Sequence, residues 1–279
     1  MAFLPDSKDL YLDLMKKALS FLLWPEPPFP AASLQSTRKA AKRILVGALS
    51  AVAKAANKSL MQYPSFTEQE RKEGRIWPGY AHTMVGMKRL DNIQFCVETV
   101  LKEGVPGDLI ETGVWRGGAC IFMRSILAAY GDTQRKLYVA DSFQGLPPPD
   151  EAKYPADKGD WLHTQEVLAV SLEQVKANFA NYGLLDGQVE FLKGWFKDTL
   201  PSAPMEKLAV MRLDGDLYQS TMEALESLYP RLSPGGFCII DDYALRTCQL
   251  AVDDFRKQRG ILETLEVVDW TGRFWRKRR

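Results

Sequence analysis

The sequence predicts an α/β protein in which a mostly parallel sheet follows an N-terminal helical cap. From Asp108 onward, short apolar runs alternate with helix-length segments of amphipathic character. The stretch 107–118 predicts a strand that ends in an acid and a glycine turn, directly before a helix. Near the end of the chain, Thr271-Gly-Arg separates two short apolar runs, which predicts a hairpin that adds an antiparallel edge to the sheet.

The composition is that of an ordinary globular protein, with 279 residues, 46% hydrophobic and 25% charged. A net charge of +1 gives no reason to expect a nucleic-acid partner, and two histidines are too few for a His-rich zinc site. The four cysteines form no C-x-x-C pair and lie in apolar surroundings, which predicts buried, reduced thiols in a cytoplasmic protein. No apolar run is long enough to cross a bilayer, so we expect no membrane partner.

Residues 1–104 are predicted to form the cap, which would take part in substrate binding. Its first helix is predicted over 6–24 and is stopped by the four prolines of 25–30. The Ala-, Lys- and Arg-rich stretch 33–60 predicts a second helix, and apolar periodicity over 88–103 predicts another after a polar and aromatic loop at 74–87.

Residues 105–279 are predicted to form one catalytic domain of alternating strands and helices, with helices on both faces of the sheet. The Pro- and Asp-rich loop 146–162 is a predicted lid over the site. Strands are predicted at 108–111, 136–141, 188–193, 207–213 and 236–241, helices at 117–130, 164–182, 219–231 and 245–259, and the hairpin at 265–270 and 274–275.

The glycine turn has the spacing of a nucleotide site. Gly113, Gly117 and Gly118 do not match the dinucleotide pattern G-x-G-x-x-G, but they fit the acid-x-Gly-x-x-x-Gly turn of S-adenosylmethionine (SAM) enzymes. Glu111, at the end of the strand, can accept hydrogen bonds from a cationic or hydroxylated ligand. With the predicted sheet, this turn is typical of a class I SAM methyltransferase with a Rossmann-like fold. Taken alone, the motif is equally compatible with a purely structural turn.

Ligands of open parallel sheets bind at the carboxyl ends of the strands, and carboxylates stand at these ends. Asp141 ends the second strand, where it can accept two hydrogen bonds from ribose hydroxyls, and the following residues 142–145 can wrap the nucleoside edge. Trp195, after the third strand, could pack on the adenine, and a core aromatic is an equal alternative.

A second acidic group is predicted at the ends of the fourth and fifth strands, from Asp214, Asp241 and Asp242. Three hard oxygen ligands, without cysteine or a suitable histidine pair, indicate Mg²⁺ or a similar ion. Such an ion would neutralise the carboxylates, bind a substrate hydroxyl and lower its pKa, so that a nearby carboxylate removes the proton. This chemistry suits methyl transfer to an alcohol.

These motifs together resemble the macrocin and mycinamicin sugar O-methyltransferases, the TylF/MycF/NovP-type family, which includes an aminocoumarin-antibiotic branch. The resemblance spans most of the chain. It is carried by the residues 10–14, 81–92, 105–118, 139–147, 213–220 and 239–243.

The resemblance implies SAM as methyl donor and Mg²⁺ held by Asp214, Asp241 and Asp242, with Asp214 as the base. It implies a deoxysugar hydroxyl of an antibiotic-type natural product as acceptor, and a homo-oligomer with the N-terminal part in its interface. The SAM contacts that it implies are Thr83, Met84, Glu111, Thr112, Gly113, Val114, Trp115, Asp141, Ser142, Phe143, Gln144, Gly145 and Trp195.

The sequence contains two histidines, His82 and His163. His163 stands at the end of the long loop, and we hypothesise that it helps to bind substrate or assists deprotonation. The alternative, a surface histidine that caps the next helix, is slightly favoured. His82 is predicted to be structural, orienting the loop before Met84.

Three other functions are open to the sequence. A catechol or another vicinal diol could replace the sugar as acceptor, because similar metal chemistry serves both. An NAD-type oxidoreductase is opposed by the glycine spacing and by the lack of an evident Tyr-x-x-x-Lys pair. A non-catalytic binding protein of the same fold is opposed by the acidic rim.

Overall fold

A seven-stranded sheet forms the centre of the structure, a computed structural model that describes residues 6–30 and 40–278. Its strands, in chain order, are β1 Asp108–Thr112, β2 Leu137–Asp141, β3 Val189–Lys193, β4 Leu208–Leu213, β5 Leu232–Ile240, β6 Glu266–Val267 and β7 Arg273–Arg276. They lie in the order β3-β2-β1-β4-β5-β7-β6 across the sheet. Strands β1 to β5 are parallel, and β7 and β6 are antiparallel to their neighbours. The parallel sheet and its antiparallel C-terminal edge confirm the predicted fold class.

Helices cover both faces of the sheet. They are α1 Ser7–Leu19, α2 Ala40–Ala55, α3 Glu68–Lys72, α4 Met87–Lys102, α5 Gly118–Ala129, α6 Leu172–Asn181, α7 Phe196–Thr199, α8 Tyr218–Leu228 and α9 Arg246–Arg259. A small antiparallel pair, Phe29–Pro30 with Met61–Gln62, and the short helices α3 and α7 were not predicted from the sequence. Within the described residues, no helix has the combined length and apolar character needed to span a membrane.

Two apolar layers hold these elements together. On one face of the sheet, residues of α1, α4, α5 and α6 share one core with β1 and β2. On the other face, α8 and α9 pack on β4 and β5, where Trp275 is fully buried. Leu12 and Leu19 of α1 and Ile93 of α4 are at most 1% exposed. The first and fourth helices therefore belong to the core of the sheet, although both fall in the segment predicted as a cap.

The helix predicted at 164–182 begins later than expected. Residues Leu162–Thr164 and Glu166–Leu168 form single 3₁₀ turns, and α6 begins after Ser171, whose hydroxyl accepts a hydrogen bond from the Gln174 N–H at 3.2 Å. This side-chain cap fixes the start of the helix. The helix predicted at 33–60 is observed as α2, and residues 33–39 of that prediction lie outside the described residues.

The cysteine prediction is confirmed for all four residues, which are buried and free. His82 also has the structural role that was expected. Its backbone N–H donates to Leu19 at 2.8 Å, and its carbonyl accepts from the N–H of Gly118 at 3.0 Å. The segment before Met84 therefore lies across the N-terminus of α5, and part of the cap is built into the glycine turn.

The long loop that follows β2 is fastened to α8 by Asp157. The residue before α8, Leu217, offers no side-chain cap, and the fully buried Asp157 supplies one from the loop. Its carboxylate oxygens accept hydrogen bonds from the backbone N–H groups of Tyr218, at 2.6 Å, and Gln219, at 3.0 Å. One carboxylate thus satisfies two free donors of the helix and holds the loop over the carboxyl edge of the sheet.

Replacement of Asp157 by alanine should release this loop. We expect the free energy of unfolding to fall by about 1 kcal/mol, the usual cost of losing a helix cap. Limited proteolysis within 146–171 should also become faster than in the wild type. Glu166→Ala is the matched control, because Glu166 is an exposed acid of the same loop. Equal cleavage rates for the two variants would contradict the proposed anchoring.

Candidate functional site

A cavity of about 610 Å³ runs along the carboxyl ends of the parallel strands. From β3 to β5, its floor carries Trp195, Asp141, Gly113, Asp214 and then the pair that follows β5. Because neighbouring strands lie about 4.8 Å apart, these groups are spread along one continuous trough. Its walls come from residues 74–77 and 83–85, from the loop after β2, and from residues 270–271. This is the position at which open α/β sheets bind ligands.

One half of the trough is organised by Asp141, which is only partly exposed. Its carboxylate accepts hydrogen bonds from the backbone N–H groups of Val114 and Phe143, each at 2.7 Å. These bonds hold the glycine turn against the end of β2. Burial nevertheless raises the pKa of Asp141. A carboxylate so placed still has lone pairs for a ligand hydroxyl.

Most of the residues predicted to contact SAM line this cavity, and three do not. Thr112 is fully buried, Phe143 is buried beside Phe191, and Gln144 points to solvent. Successive side chains of a strand point to opposite faces, so Thr112 faces away from its neighbours at the strand end. The predicted residues that line the cavity are Thr83, Met84, Glu111, Gly113, Val114, Trp115, Asp141, Ser142, Gly145 and Trp195.

Glu111 reaches the cavity edge but is largely occupied by the protein. It is 2% exposed, forms an ion pair with Arg212, and accepts a hydrogen bond from the Cys120 thiol at 2.7 Å. Burial raises the pKa of Glu111 to about 7, despite the neighbouring guanidinium of Arg212. The expected ligand-accepting role therefore competes with a structural one.

Two buried arginines, which were not identified from the sequence, lie beneath the acidic rim. Arg212 of β4 is 1% exposed and pairs with Glu111, Asp241 and, at 2.9 Å, Asp214. Arg89 of α4 pairs with Asp241 and with Asp269 at 3.1 Å. A signal was available for Arg212, since a charge inside the apolar run Leu208–Leu213 implies a buried partner.

Asp241 is placed differently from the other predicted metal ligands. One of its carboxylate oxygens accepts from Arg89 and the other from Arg212. Burial alone would raise the pKa of Asp241, but the two guanidinium groups outweigh it and lower the pKa. Asp241 as a metal ligand stays a prediction, and in the structure its oxygens serve these ion pairs.

The acidic cluster of the structure consists of Asp214, Asp216 and Asp242. One carboxylate oxygen from each lies within 4.8 Å of the others. Burial and the neighbouring carboxylates raise the pKa of Asp242, and they raise that of Asp216 to about 8. Asp216 was missed, although it stands in the same Asp-Gly-Asp turn as Asp214 and has a left-handed backbone, with φ of 57°.

The donor set fits a hard divalent cation. The five carboxylates Glu111, Asp214, Asp216, Asp241 and Asp242 face two guanidinium groups, which leaves an excess of negative charge when all are ionised. Burial is the main cause of the raised pKa values of the cluster, and this uncompensated charge raises them further. Oxygen-only ligands with this charge suit Mg²⁺ better than a softer metal.

His163 lies in the 3₁₀ turn Leu162–Thr164 and is exposed. Its neighbour Leu162 lines the cavity, whereas His163 does not. The alternative that it caps the next helix is wrong, because α6 begins at Leu172 and is capped by Ser171. A role of His163 toward the substrate stays a prediction.

The chain matches known methyltransferases over almost its whole length. The family described as Macrocin-O-methyltransferase (TylF) matches residues 8–277. An 8-demethyl-8-(2,3-dimethoxy-alpha-L-rhamnosyl)-tetracenomycin-C 4'-O-methyltransferase of Streptomyces olivaceus is 53% identical over 97% of this chain and 94% of its own. A mycinamicin III 3''-O-methyltransferase of Micromonospora griseorubida is 46% identical over 96% of each chain.

Solved structures agree with these sequence matches. The O-methyltransferase NovP superposes with a TM-score of 0.83 at 46% identity, covering 98% of this chain and all of that one. The calicheamicin methyltransferase CalS11 superposes with a TM-score of 0.55 over 86% of this chain and 94% of its own. At 17% identity, that second likeness concerns the fold alone.

The acidic network predicts a pH-dependent stability. In the folded protein Glu111 and Asp216 keep their protons up to about pH 7 and 8, whereas their ordinary pKa values are 4.5 and 3.8. Between pH 5 and 8 the folded state therefore binds more protons than the unfolded state, and the free energy of unfolding of metal-free protein should fall as the pH rises. For Glu111 alone the effect is on the order of 3 kcal/mol.

Urea titrations across this pH range measure the effect. Asp216→Asn should make the decrease smaller, because the variant has no proton to lose at this position. Asp198→Asn is the control, since Asp198 is exposed and lies outside the cluster. A pH dependence that is the same for the wild type and Asp216→Asn would contradict the prediction.

Proposed function

The chain belongs to the macrocin O-methyltransferase family and is an O-methyltransferase, and we propose that it methylates a deoxysugar hydroxyl of an antibiotic-type secondary metabolite, with SAM as donor. One observation carries this proposal: a single cavity joins the nucleoside-type carboxylate Asp141 to the acidic cluster at β4 and β5. Family membership excludes the oxidoreductase and the non-catalytic alternatives. The catechol or other vicinal diol remains the alternative acceptor.

In the donor half, the chain supplies positioning. Asp141 accepts the ribose hydroxyls of SAM, and the glycine turn allows the ligand to approach the backbone beside Val114. Trp195 lines the same half and covers the adenine. The 146–162 loop is fastened to α8 by Asp157, and it would shield bound SAM from water. These contacts would position the methyl group of bound SAM for transfer to the acceptor oxygen.

In the acceptor half, Asp214 takes the proton of the acceptor hydroxyl while the oxygen attacks the methyl carbon. The carbon–oxygen bond forms as the sulfur–carbon bond breaks, and S-adenosylhomocysteine leaves with the electron pair on sulfur. Burial and the charge of Asp241 raise the pKa of Asp214, against the influence of Arg212, which makes Asp214 a stronger base than an exposed aspartate. Arg212 also orients the carboxylate of Asp214 through their ion pair at 2.9 Å.

Mg²⁺ would be held by Asp214 and Asp242, which belong both to the predicted ligand set and to the observed cluster. Asp216 or Asp241 would complete the set, Asp241 only by exchanging an arginine contact. When bound, the ion supplies positive charge that neutralises the cluster and favours the ionised acceptor hydroxyl.

The names of the relatives support a glycosylated acceptor. One relative methylates a rhamnosyl tetracenomycin and another methylates mycinamicin III. A relative of Streptomyces niveus, 54% identical over 77% of this chain and 83% of its own, is a demethyldecarbamoylnovobiocin O-methyltransferase. Their scaffolds differ, so a sugar attached to a natural product is the acceptor class that we assign.

Removal of the base should abolish turnover without removing the donor site. We expect Asp214→Asn to lower kcat by about 10²- to 10⁴-fold, the usual contribution of a positioned base. SAM binding, measured by calorimetry, should change little.

EDTA should suppress the wild-type activity, and added Mg²⁺ should restore it.

His163→Ala is measured beside Asp214→Asn, because a role of His163 toward the substrate is also predicted. Unchanged turnover and KM in this variant would remove His163 from the mechanism and leave Asp214 as the base. Full activity of metal-depleted wild type would count against the magnesium mechanism. A preference for catechols over glycosides in an acceptor panel would favour the alternative acceptor class.

We further propose that the protein self-associates through its N-terminal part. The helix α2 supports this proposal, because it presents an apolar face to solvent, formed by Ile44, Leu45, Leu49 and Val52, which are 48–72% exposed. Exposed apolar faces of this kind commonly mark protein interfaces.

Light scattering tests the self-association. The double variant Ile44→Asp, Leu49→Asp should form particles of smaller molar mass in solution than the wild type, because two charges cannot be buried in an apolar interface without a large cost in free energy. Lys58→Asp is the control at an exposed polar position just beyond α2. A wild-type protein that is monomeric at micromolar concentration would refute the proposal.

A further inference from the structure

The acceptor end of the cavity has an apolar wall that the mechanism does not use. Among the cavity-lining residues of the described chain, three large hydrophobic side chains are more than a third exposed: Trp77 at 47%, Trp270 at 43% and Leu245 at 39%. Exposed tryptophans are uncommon, and grouped at the mouth of a cavity they usually mark a binding surface.

The register of the sheet places this wall beside the acidic cluster. Ile240 of β5 pairs with Arg273 of β7, so the hairpin residues just before β7 lie next to Asp241. The hydroxyl of Thr271 donates to the Asp241 carbonyl at 2.9 Å. Trp270 therefore lies at the end of the trough opposite to Asp141, adjacent to the groups that act on the acceptor.

Trp270 is held rigidly in this position. Its indole N–H donates to the Glu73 carbonyl at 2.9 Å, and the guanidinium of Arg75 stacks on its ring at 4.8 Å from the ring centroid. A ring fixed by a hydrogen bond and a cation–π contact loses little further entropy when a ligand packs on it. Such aromatic groups are the usual source of binding energy at interfaces.

Trp77 has no such role in the protein. In the described part of the chain its ring makes no hydrogen bond and no stacking contact, yet it lines the cavity two residues from Arg75. Its exposed ring is therefore available to a ligand in the cavity.

The charges at this end oppose an anionic acceptor. Arg75 pairs with Glu73 at 2.6 Å, and Arg89 pairs with Asp241 and Asp269. Both arginines that line the wall are thus already neutralised, next to an acidic cluster. A sugar nucleotide would bring a diphosphate to this place and would be repelled.

We propose that Trp77 and Trp270 bind the apolar aglycone of the acceptor and so determine which glycosides are methylated. This inference rests on the proposed function, in which the sugar lies at Asp214 and the rest of the acceptor projects toward the cavity mouth. Indole rings pack on flat or apolar surfaces over a large area, and they need no specific hydrogen bond to do so. The wall therefore suits polycyclic and macrocyclic aglycones.

Two probes separate the aglycone from the sugar: 2-naphthyl α-L-rhamnoside and methyl α-L-rhamnoside. Their binding to the S-adenosylhomocysteine-loaded protein is measured by calorimetry in the presence of Mg²⁺, and their turnover is measured with SAM. The wild type should bind the naphthyl glycoside about tenfold or more tightly, as expected for one well-packed aromatic contact. Trp77→Ala and Trp270→Ala should each remove most of this preference and leave the affinity for the methyl glycoside within about twofold.

Two further variants serve as controls. Trp270→Phe keeps a ring beneath Arg75 and should keep most of the preference. Trp24→Ala removes a tryptophan that is 52% exposed and lies outside the cavity, and it should have no effect on either probe. Within the described residues Trp77 makes no stacking or hydrogen-bonding contact and is 47% exposed, and an unchanged affinity of Trp77→Ala for the methyl glycoside would show that the variant is folded.

The outcomes distinguish this inference from the proposed function. If wild type does not prefer the naphthyl probe, or if both alanine variants keep the preference, the aglycone wall is refuted. An equal loss of affinity for both probes would also refute it, because the two tryptophans would then act on sugar binding or on folding. If the probes bind with the expected preference but neither is methylated, the inference stands and the proposed methylation of a deoxysugar hydroxyl is at fault.

Discussion

The ion pairs of Arg212 are the interaction on which the site depends. A guanidinium that is 1% exposed in the middle of a parallel sheet would be very costly alone, and it is stabilised by Glu111, Asp214 and Asp241 at the ends of three neighbouring strands. The same pairing allows these carboxylates to be buried close together. Loss of either partner would leave a buried charge uncompensated, so the arginine and the acidic rim stabilise each other.

The N-terminal cap is joined to this network through Arg89. This side chain comes from the first turn of α4, and it contacts Asp241, Asp269 and the carbonyl of Gly74 at 3.2 Å. The cap, the C-terminal hairpin and the acidic rim therefore meet at one guanidinium. Together with the His82 segment, which packs on the N-terminus of α5, this contact explains why the donor and acceptor halves form one cavity.

The two halves of the cavity differ in how much the protein itself uses them. In the donor half, Asp141 accepts a hydrogen bond from the backbone of the glycine turn and holds it in place. In the acceptor half, the carboxylates of Asp214, Asp216 and Asp242 repel one another, and Trp77 and Trp270 are exposed. Uncompensated charge and exposed aromatic surface are both unfavourable in the protein alone. Both become favourable when a cation and an apolar acceptor are bound.

The sequence by itself determined the sheet, its antiparallel edge and the positions of Asp141, Asp214 and Asp242. Short apolar runs that end in an acid identify parallel strands, and parallel topology brings their carboxyl ends to one rim.

The tertiary structure alone decided what each carboxylate contacts. Asp241 and Asp242 are adjacent in the chain, but only Asp241 meets Arg89 and Arg212, because successive side chains at a strand end point in different directions. Their arginine partners come from α4 and β4, and the wall at Trp77 and Trp270 joins segments far apart in the chain. The local periodicity of the sequence does not predict such pairings, because they depend on how the helices and the hairpin pack on the sheet.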